Sequence, residues 1–302
     1  MHLVVLASAD SWYLNDLRRA AAGQHEIAAV DFGDLVSTIA ANQVRVSAKG
    51  IDLGDSDAVL VRTMPPGSLE QIVFRMDALG RLEASGLPII NPPRAIEAAV
   101  DKYLTTARLA AAGLPVPCTI ACQTAEEGLA AFETLGGDVV IKPVFGSEGR
   151  GIMRLDDPAL ARQAFQATAR LGGLLYVQQL IPHDGYDIRV LVIGQRMFAM
   201  RRRNDSDWRT NVSRGAIAER TELTAEMATM ARQAADAVGA SLAGVDLLPG
   251  RDGRLYAIEV NAVPGWKALA AALDIDVAQV VLEYVQHEVK NRPLARNPKS
   301  KI

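Results

Sequence analysis

Gly244-Val245-Asp246-Leu247-Leu248-Pro249-Gly250-Arg251-Asp252-Gly253-Arg254-Leu255-Tyr256-Ala257-Ile258-Glu259-Val260-Asn261 reads as two strands, over 243–248 and 254–261, folded about the turn at 249–253. Side chains of a strand alternate between its faces, so Glu259 and Asn261 share one face, and Asp246 on the neighbouring strand can point to it. Two carboxylates and an amide oxygen suit Mg²⁺, a hard cation that takes oxygen ligands. No His or Cys stands nearby, which disfavours zinc. Taken alone, the trio also reads as a solvated strand face carrying an accidental acid pair.

Upstream of this hairpin the chain changes style twice. Strand-like runs at 3–7, 27–30, 58–61 and 88–90 are separated by helical segments, which predicts a parallel α/β sheet. The clearest helix carries Leu69, Ile72, Val73, Met76, Leu79 and Leu82 at helical spacing, with Ser68 as its cap and Gly86 as its stop. No glycine follows the first strand, which argues against a dinucleotide fingerprint there. Asn91-Pro92-Pro93 breaks the pattern. Beyond it come helices at 95–99 and 102–112, then α+β elements: strands at 117–121, 139–142, 152–155 and 174–178, with helices at 125–135 and 158–170. A second such unit follows, with strands at 188–193 and 196–200, a polar loop at 203–214 and a helix at 224–238. The opening hairpin and a last helix at 276–289 complete it. The predicted division is an N-terminal α/β domain at 1–94, α+β units at 95–181 and 182–290, and a basic tail at 291–302.

Composition narrows the function. In 302 residues, a net charge of -3 and a pI near 5.9 give no footprint for nucleic acid. The first residues lack the basic start of a signal peptide, and no apolar run approaches the roughly 20 residues that span a bilayer. Cys118 and Cys122 have no second Cys/His pair to complete a metal site, so they read as free thiols in a reducing, cytoplasmic setting.

Two further constellations carry chemistry. Lys142 ends an apolar strand and precedes Phe145-Gly146-Ser147-Glu148-Gly149-Arg150-Gly151. Glycines there let backbone N–H groups approach phosphate oxygens, with lysine adding charge. It is not a P-loop, because no Gly-Lys-Ser/Thr closes it; a plain glycine-rich turn would look the same in isolation. The other is a cation cluster: Arg189 beside Asp187, Arg201 to Arg203, then Arg209, Asn211 and Arg214. Arginine holds carboxylates and phosphates bidentately, although a surface loop with internal ion pairs would also fit.

The order of these features is rarer than any one of them. Asp101-Lys102-Tyr103-Leu104, Val139-Val140-Ile141-Lys142-Pro143, Val177-Gln178-Gln179-Leu180-Ile181, Asp187-Ile188-Arg189, Arg209-Thr210-Asn211-Val212-Ser213-Arg214-Gly215, Gly244-Val245-Asp246 and Glu259-Val260-Asn261-Ala262-Val263-Pro264-Gly265 resemble, in order, the motifs of the ATP-grasp superfamily. More narrowly, the chain resembles its RimK-like carboxylate–amine ligases. The resemblance covers 95–289 and implies an ATP-grasp fold of two α+β subdomains. It implies that Lys102 and Lys142 reach the ATP phosphates and that the loop Gly146, Ser147, Glu148, Gly149, Gly151 folds over them. Gln179, Leu180 and Ile181 would form the hinge strand at adenine, Gln179 standing where many relatives carry glutamate. Asp187 would contact ribose. Asp246, Glu259 and Asn261 would hold two Mg²⁺, with Mn²⁺ an accepted substitute. Arg189, Asn211 and Arg214 would stabilise the phosphoryl group in flight.

Relatives of this kind most often add L-glutamate, through its amine, to an acceptor carboxylate on a protein tail, an amino-acid carrier protein or a small cofactor, and commonly form dimers or tetramers. The segment from Arg62 to Gln71 follows the carboxyl end of a strand, where open α/β sheets present ligands. Arg62 and Ser68 are therefore expected to face the acceptor, although Pro65-Pro66-Gly67 also reads as a stiff loop with a helix cap. This segment and Pro264-Gly265-Trp266-Lys267 resemble ligases of tetrahydromethanopterin and methanofuran metabolism, which makes Trp266 and Lys267 substrate candidates. A carrier-protein ligase of lysine or arginine biosynthesis is the nearest rival; it would want a basic groove, for which Arg201, Arg202 and Arg203 are available. A non-catalytic ATP-binding regulator is the alternative of another class, and would be expected to have lost a lysine or a metal ligand.

Overall fold

The computed structural model describes residues 1–41, 43–146 and 149–291. Ser147, Glu148 and nearly all of the basic tail, for which the sequence raises expectations, lie outside them.

The chain opens with β1 (His2–Leu6), α1 (Trp12–Ala21) and β2 (Glu26–Val30), followed by a small antiparallel sheet of β3 (Leu35–Ala40), β4 (Gln43–Ala48) and β5 (Ile51–Asp52). Then come β6 (Ala58–Val61), α2 (Leu69–Ala84) and β7 (Ile89–Ile90). The first sheet has the order β2-β1-β6-β7 and is parallel throughout. β6 is buried at all four residues, as expected of a central strand covered on both faces. At the start of α2, the Ser68 hydroxyl accepts from the Gln71 N–H, while the Gln71 side chain accepts from the Ser68 N–H, a reciprocal cap.

Two helices, α3 (Pro93–Val100) and α4 (Lys102–Ala111), lead to the next sheet. It is built from β8 (Thr119–Cys122), α5 (Ala125–Thr134), β9 (Val139–Lys142), β10 (Met153–Leu155), α6 (Pro158–Arg170) and β11 (Leu175–Gln179), antiparallel in the order β10-β9-β11-β8. The last unit contains β12 (Tyr186–Ile193), β13 (Arg196–Arg203), β14 (Ile217–Arg220), α7 (Ala225–Val238), β15 (Leu242–Pro249), β16 (Leu255–Asn261), α8 (Lys267–Leu273) and α9 (Val277–Lys290). Its sheet is antiparallel, in the order β14-β13-β12-β15-β16.

Packing groups these units differently from the sequence. One core joins Val4, Leu6 and Val59 of the first sheet to Ile188, Val190 and Val245 of the last, and a second joins Leu3 and Leu60 to Leu191 and Leu242. The middle unit has its own core around Phe132, Phe165 and Val177. The break at Asn91 is thus a change of sheet within a shared core. Asn91 itself is fully buried: its amide donates to Leu242 O at 2.7 Å and Ala262 O at 2.6 Å, and its oxygen accepts from the N–H groups of Ser241 and Leu242. It clamps the first sheet to the ends of the hairpin that carries the acids.

Candidate active site

β15 and β16 place Asp246 directly across from Glu259, and the ladder shifts register by a bulge immediately after Asp246. β12, on the other side of β15, places Arg189 opposite Asp246. The Arg189 guanidinium holds both carboxylate oxygens, through Nε to Oδ1 and through Nη2 to Oδ2 at 2.9 Å. Arg202, from β13, reaches in from further back. It donates to Asp187 at 2.7 and 2.5 Å and lies 2.9 Å from Asp246 Oδ2. Burial would push the Asp246 carboxyl up, but Arg189 and Arg202 override it and hold the group below its usual range.

Glu259 has a different environment. Its side chain is about one-third exposed (35%), and Lys102 Nζ stands 3.7 Å away. Lys102 begins α4, whose cap is the Asp101 carboxylate accepting from the Leu104 N–H. Its ammonium also donates to Gly146 O at 2.6 Å, tying the start of this helix to the glycine-rich loop. Asn261 Oδ1 accepts from the Val263 N–H at 2.8 Å. These donors fit a divalent cation of the Mg²⁺ type: all are oxygens, and Glu259 is bound by no arginine among the described residues. Asp246 would have to release one oxygen from an arginine to join them.

Lys142, at the end of β9, faces a buried polar chain. Its ammonium donates to Gln178 Oε1 at 2.6 Å; Gln178 Nε2 donates to Thr119 Oγ1 and to the Tyr176 hydroxyl, which meets Thr106 Oγ1 at 2.7 Å. Desolvation pulls the Lys142 ammonium down to about 8, with Lys102 pushing the same way and Glu259 and Asp246 opposing. Gln178 is not among the residues the sequence singles out, although it carries a signal: a glutamine two residues from Tyr176 shares its face in a strand whose other face, with Val177, is apolar core.

Gly146 and Gly149 of the glycine-rich loop border this cleft. Arg214 Nη2 donates to Gly149 O at 2.8 Å, and a Cβ placed on Gly149 would lie 2.5 Å from Asn211 Oδ1. Gly149 also has φ +69°, so this contact needs glycine twice over. Lys102, Gly146, Gly149, Asn211 and Glu259 help line a cavity of about 20 Å³, room for one water but not for a nucleotide. Arg214 Nε is buried there with no partner among the described residues. An unpaired donor, two lysines and an acidic face are thus brought together around Gly149.

Other expected residues are placed less simply. Asp187 is buried, with its oxygens taken by Arg202 and by Thr210 Oγ1 at 2.6 Å, so a ribose would have to share it. Arg202, only 4% exposed, is held between two aspartates as an internal counter-ion, so an acceptor would have to compete with both of them for it. Ser68 is exposed, and its hydroxyl serves the helix cap. The N–H groups of Gln179 and Leu180 are spent on Cys118 O and Asp138 O, so these residues have carbonyl oxygens to offer an adenine. Arg62 is buried against Trp266, and Lys267 stands exposed beside Trp12. The arginines available for a basic groove, Arg201 to Arg203, are all ion-paired within the chain. Arg201 and Arg203 both bind Glu219, and Arg203 binds Asp205 as well. Cys118 and Cys122 are free thiols. Among the described residues, no helix is long and apolar enough to cross a membrane.

Two antiparallel sheets meet at a cleft to which the middle sheet brings Lys142 and the last unit the Asp246–Glu259 hairpin with Lys102 beside it, the arrangement of an ATP-grasp enzyme. A model of the RimK-like ATP-grasp domain matches residues 99–285, and the chain belongs to that family. It is 36% identical over 264 residues to the tetrahydromethanopterin:alpha-L-glutamate ligase of Methanosarcina acetivorans, covering 78% of this chain and 81% of the relative. A probable alpha-L-glutamate ligase of Trichodesmium erythraeum is 27% identical over 97% of this chain and 99% of its own. Among solved structures, the ATP-grasp ligase PsnB complexed with minimal precursor superposes with a TM-score of 0.76 at 22% identity, covering 95% of this chain and 98% of that one. The same ligase is also known with Mg and ADP. The chain is therefore a ligase that forms C–N bonds, of a family that works with ATP and Mg²⁺.

Proposed function

We propose that the protein joins the amine of L-glutamate to the carboxylate of a small-molecule acceptor of the tetrahydromethanopterin or methanofuran type, through an acylphosphate. The observation that carries the reaction class is the open carboxylate of Glu259, opposite Asp246 and 3.7 Å from the Lys102 ammonium, beside a loop that needs glycine at 149. The substrate reading is supported by the 36% identity to a tetrahydromethanopterin:alpha-L-glutamate ligase. The internal pairing of Arg201 and Arg203 occupies two of the arginines a carrier protein would want.

A carboxylate is a poor electrophile toward an amine at neutral pH. Transfer of the γ-phosphoryl group to one of its oxygens gives an acyl phosphate; amine attack then expels inorganic phosphate through a tetrahedral intermediate. Positioning and charge neutralisation supply most of the catalysis in such a transfer. Glu259, Asn261 and Asp246 would hold Mg²⁺, two ions by the family resemblance, which offsets charge on the phosphates. Lys102 and Lys142 would hold phosphate oxygens, and Arg214, with its unpaired Nε, and Asn211 would meet the transferring group from the lid side. Arg189 would act from behind Asp246. The lid would exclude water from the acyl phosphate.

Release of ADP against a panel of acids, with and without L-glutamate, tests the proposal. ADP formation that requires both an acid of the pterin-cofactor type and glutamate supports it. ATP binding with no turnover on any pair would leave a binding protein instead.

A further inference from the structure

Arg62 stands at the carboxyl end of β6 and is 95% buried, with 5% of its surface exposed. Its Nη2 donates to Pro264 O at 2.6 Å, three residues beyond Asn261. Its Nε and Nη1 are buried with no partner among the described residues. The guanidinium packs against two rings that meet edge to face, 4.2 Å from the centre of Trp266 and 4.9 Å from that of Tyr13, the ring centres themselves being 4.9 Å apart. No carboxylate among the described residues neutralises it: Asp16, the acid on this wall, is engaged by Trp266 Nε1 and by Arg19. Burial lowers its pKa to about 10, which still leaves it charged at neutral pH.

Aromatic faces stabilise a cation, but they satisfy few N–H donors, and a buried unpaired charge is costly. Of the other buried arginines, Arg202 has two carboxylates, while Arg75 is held by Pro65 O and lies over the Phe32 ring. Position distinguishes Arg62 further. A Cβ placed on Gly244 would touch both Pro264 Cβ (3.1 Å) and Arg189 Nη1 (2.8 Å), so Pro264, whose carbonyl Arg62 holds, also lies beside the arginine paired with Asp246. Of the two rings, Trp266 is fully buried and Tyr13 is only partly so, which makes Tyr13 the side open to approach.

We propose that Arg62 is a receptor for a substrate carboxylate other than the one being activated, reached when the Tyr13 ring moves aside. The missing counter-ion is supplied by the substrate, and the planar fork of the guanidinium accepts it through Nε and Nη1. This rests on the ligase reading, since both of that reaction's substrates carry carboxylates.

The test titrates the full-length protein, with and without saturating Mg-ADP, with L-glutamate, with glutarate and with neutral glutaramide, following tryptophan fluorescence. The wild type should saturate with at least one carboxylate and not with glutaramide. Saturation by L-glutamate alone assigns the amine substrate; saturation by glutarate as well assigns an acceptor-type carboxylate. Arg62→Met should weaken that binding at least about tenfold, as expected for loss of a charge-assisted pair, while melting no lower than the wild type. Arg62→Lys should recover part of it, and Tyr13→Ala should retain it. A structural tie would behave differently: Arg62→Met would melt lower, with carboxylate binding unchanged. That result, or a wild type that binds neither carboxylate, overturns the inference. Failure of the ligase reading is a separate observation, namely no ADP formed by the wild type on any acid with glutamate.

Discussion

Titration of Lys142 gives the most quantitative handle on the nucleotide site. Burial of its ammonium lowers its pKa to about 8, against an ordinary 10.5. Phosphate oxygens prefer the charged form, so nucleotide binding above pH 8 must recharge the lysine. With a pKa of about 8 the charged fraction falls from about nine-tenths at pH 7 to about one-tenth at pH 9, a cost of about 1.4 kcal/mol. The dissociation constant for Mg-ADP, measured by titration calorimetry, should therefore rise about tenfold between pH 7 and 9. Close to one proton should be taken up per nucleotide at pH 9, visible as a dependence on buffer ionisation enthalpy. Lys142→Arg should keep its charge and show neither effect. An affinity flat with pH in the wild type, or an equal rise in Lys142→Arg, would refute the reasoning. Stability carries the same sign. Because the folded pKa lies below the unfolded one, protonated Lys142 opposes folding fully below pH 8, and that cost is relieved as pH rises toward 10.5.

Three substitutions separate the roles within the cleft. Glu259→Gln should abolish Mg-dependent turnover while leaving the melting temperature within about 2 °C, because the side chain is partly exposed and ion-paired only loosely with Lys102. Turnover equal to the parent at the same Mg²⁺ would remove Glu259 from the metal set. Asp246→Asn should instead cost about 3–5 kcal/mol in urea unfolding, since Arg189 loses its carboxylate partner and Arg202 one of its two. A loss under about 1 kcal/mol would contradict its place in that charge row. Gly149→Ala forces a Cβ onto Asn211 in a left-handed backbone and should keep the lid from seating. The ratio of ADP to amide product should then rise well above one, whereas tightly coupled turnover would rule out the water-excluding lid.

How much of the molecule is legible in its sequence follows from which interactions are local. The helix at 158–170 and the strand at 139–142 emerge at their observed bounds, because periodicity and caps at Asp157 and Pro158 lie within a few residues. α1 emerges only as a helical segment without bounds between the first two strand-like runs: half of its first eight residues are the polar Asn15, Asp16, Arg18 and Arg19, and Trp12 and Tyr13 at its start are not strong helix formers. The β3–β4 hairpin stays hidden because most of its residues are exposed and show no apolar run. At the site, the acid hairpin is legible from strand alternation, since Asp246 and Glu259 need only a two-strand ladder to meet. Charge partners are not. Whether an arginine faces a substrate or an aspartate of its own chain depends on register across β12, β13 and β15, which is why Arg202 reads as a ligand contact with no sign of the two aspartates that hold it. Asn91 illustrates the same limit, as its partners Ser241 and Leu242 lie 150 and 151 residues away.

Everything proposed for the chemistry turns on a carboxylate oxygen carrying the phosphoryl group before the amide forms. An acceptor acid that supports turnover with L-glutamate, labelled with ¹⁸O in its carboxylate, puts that step directly on view. One labelled oxygen is expected in each inorganic phosphate released, in step with the amide formed. Unlabelled phosphate accompanying amide formation would contradict it.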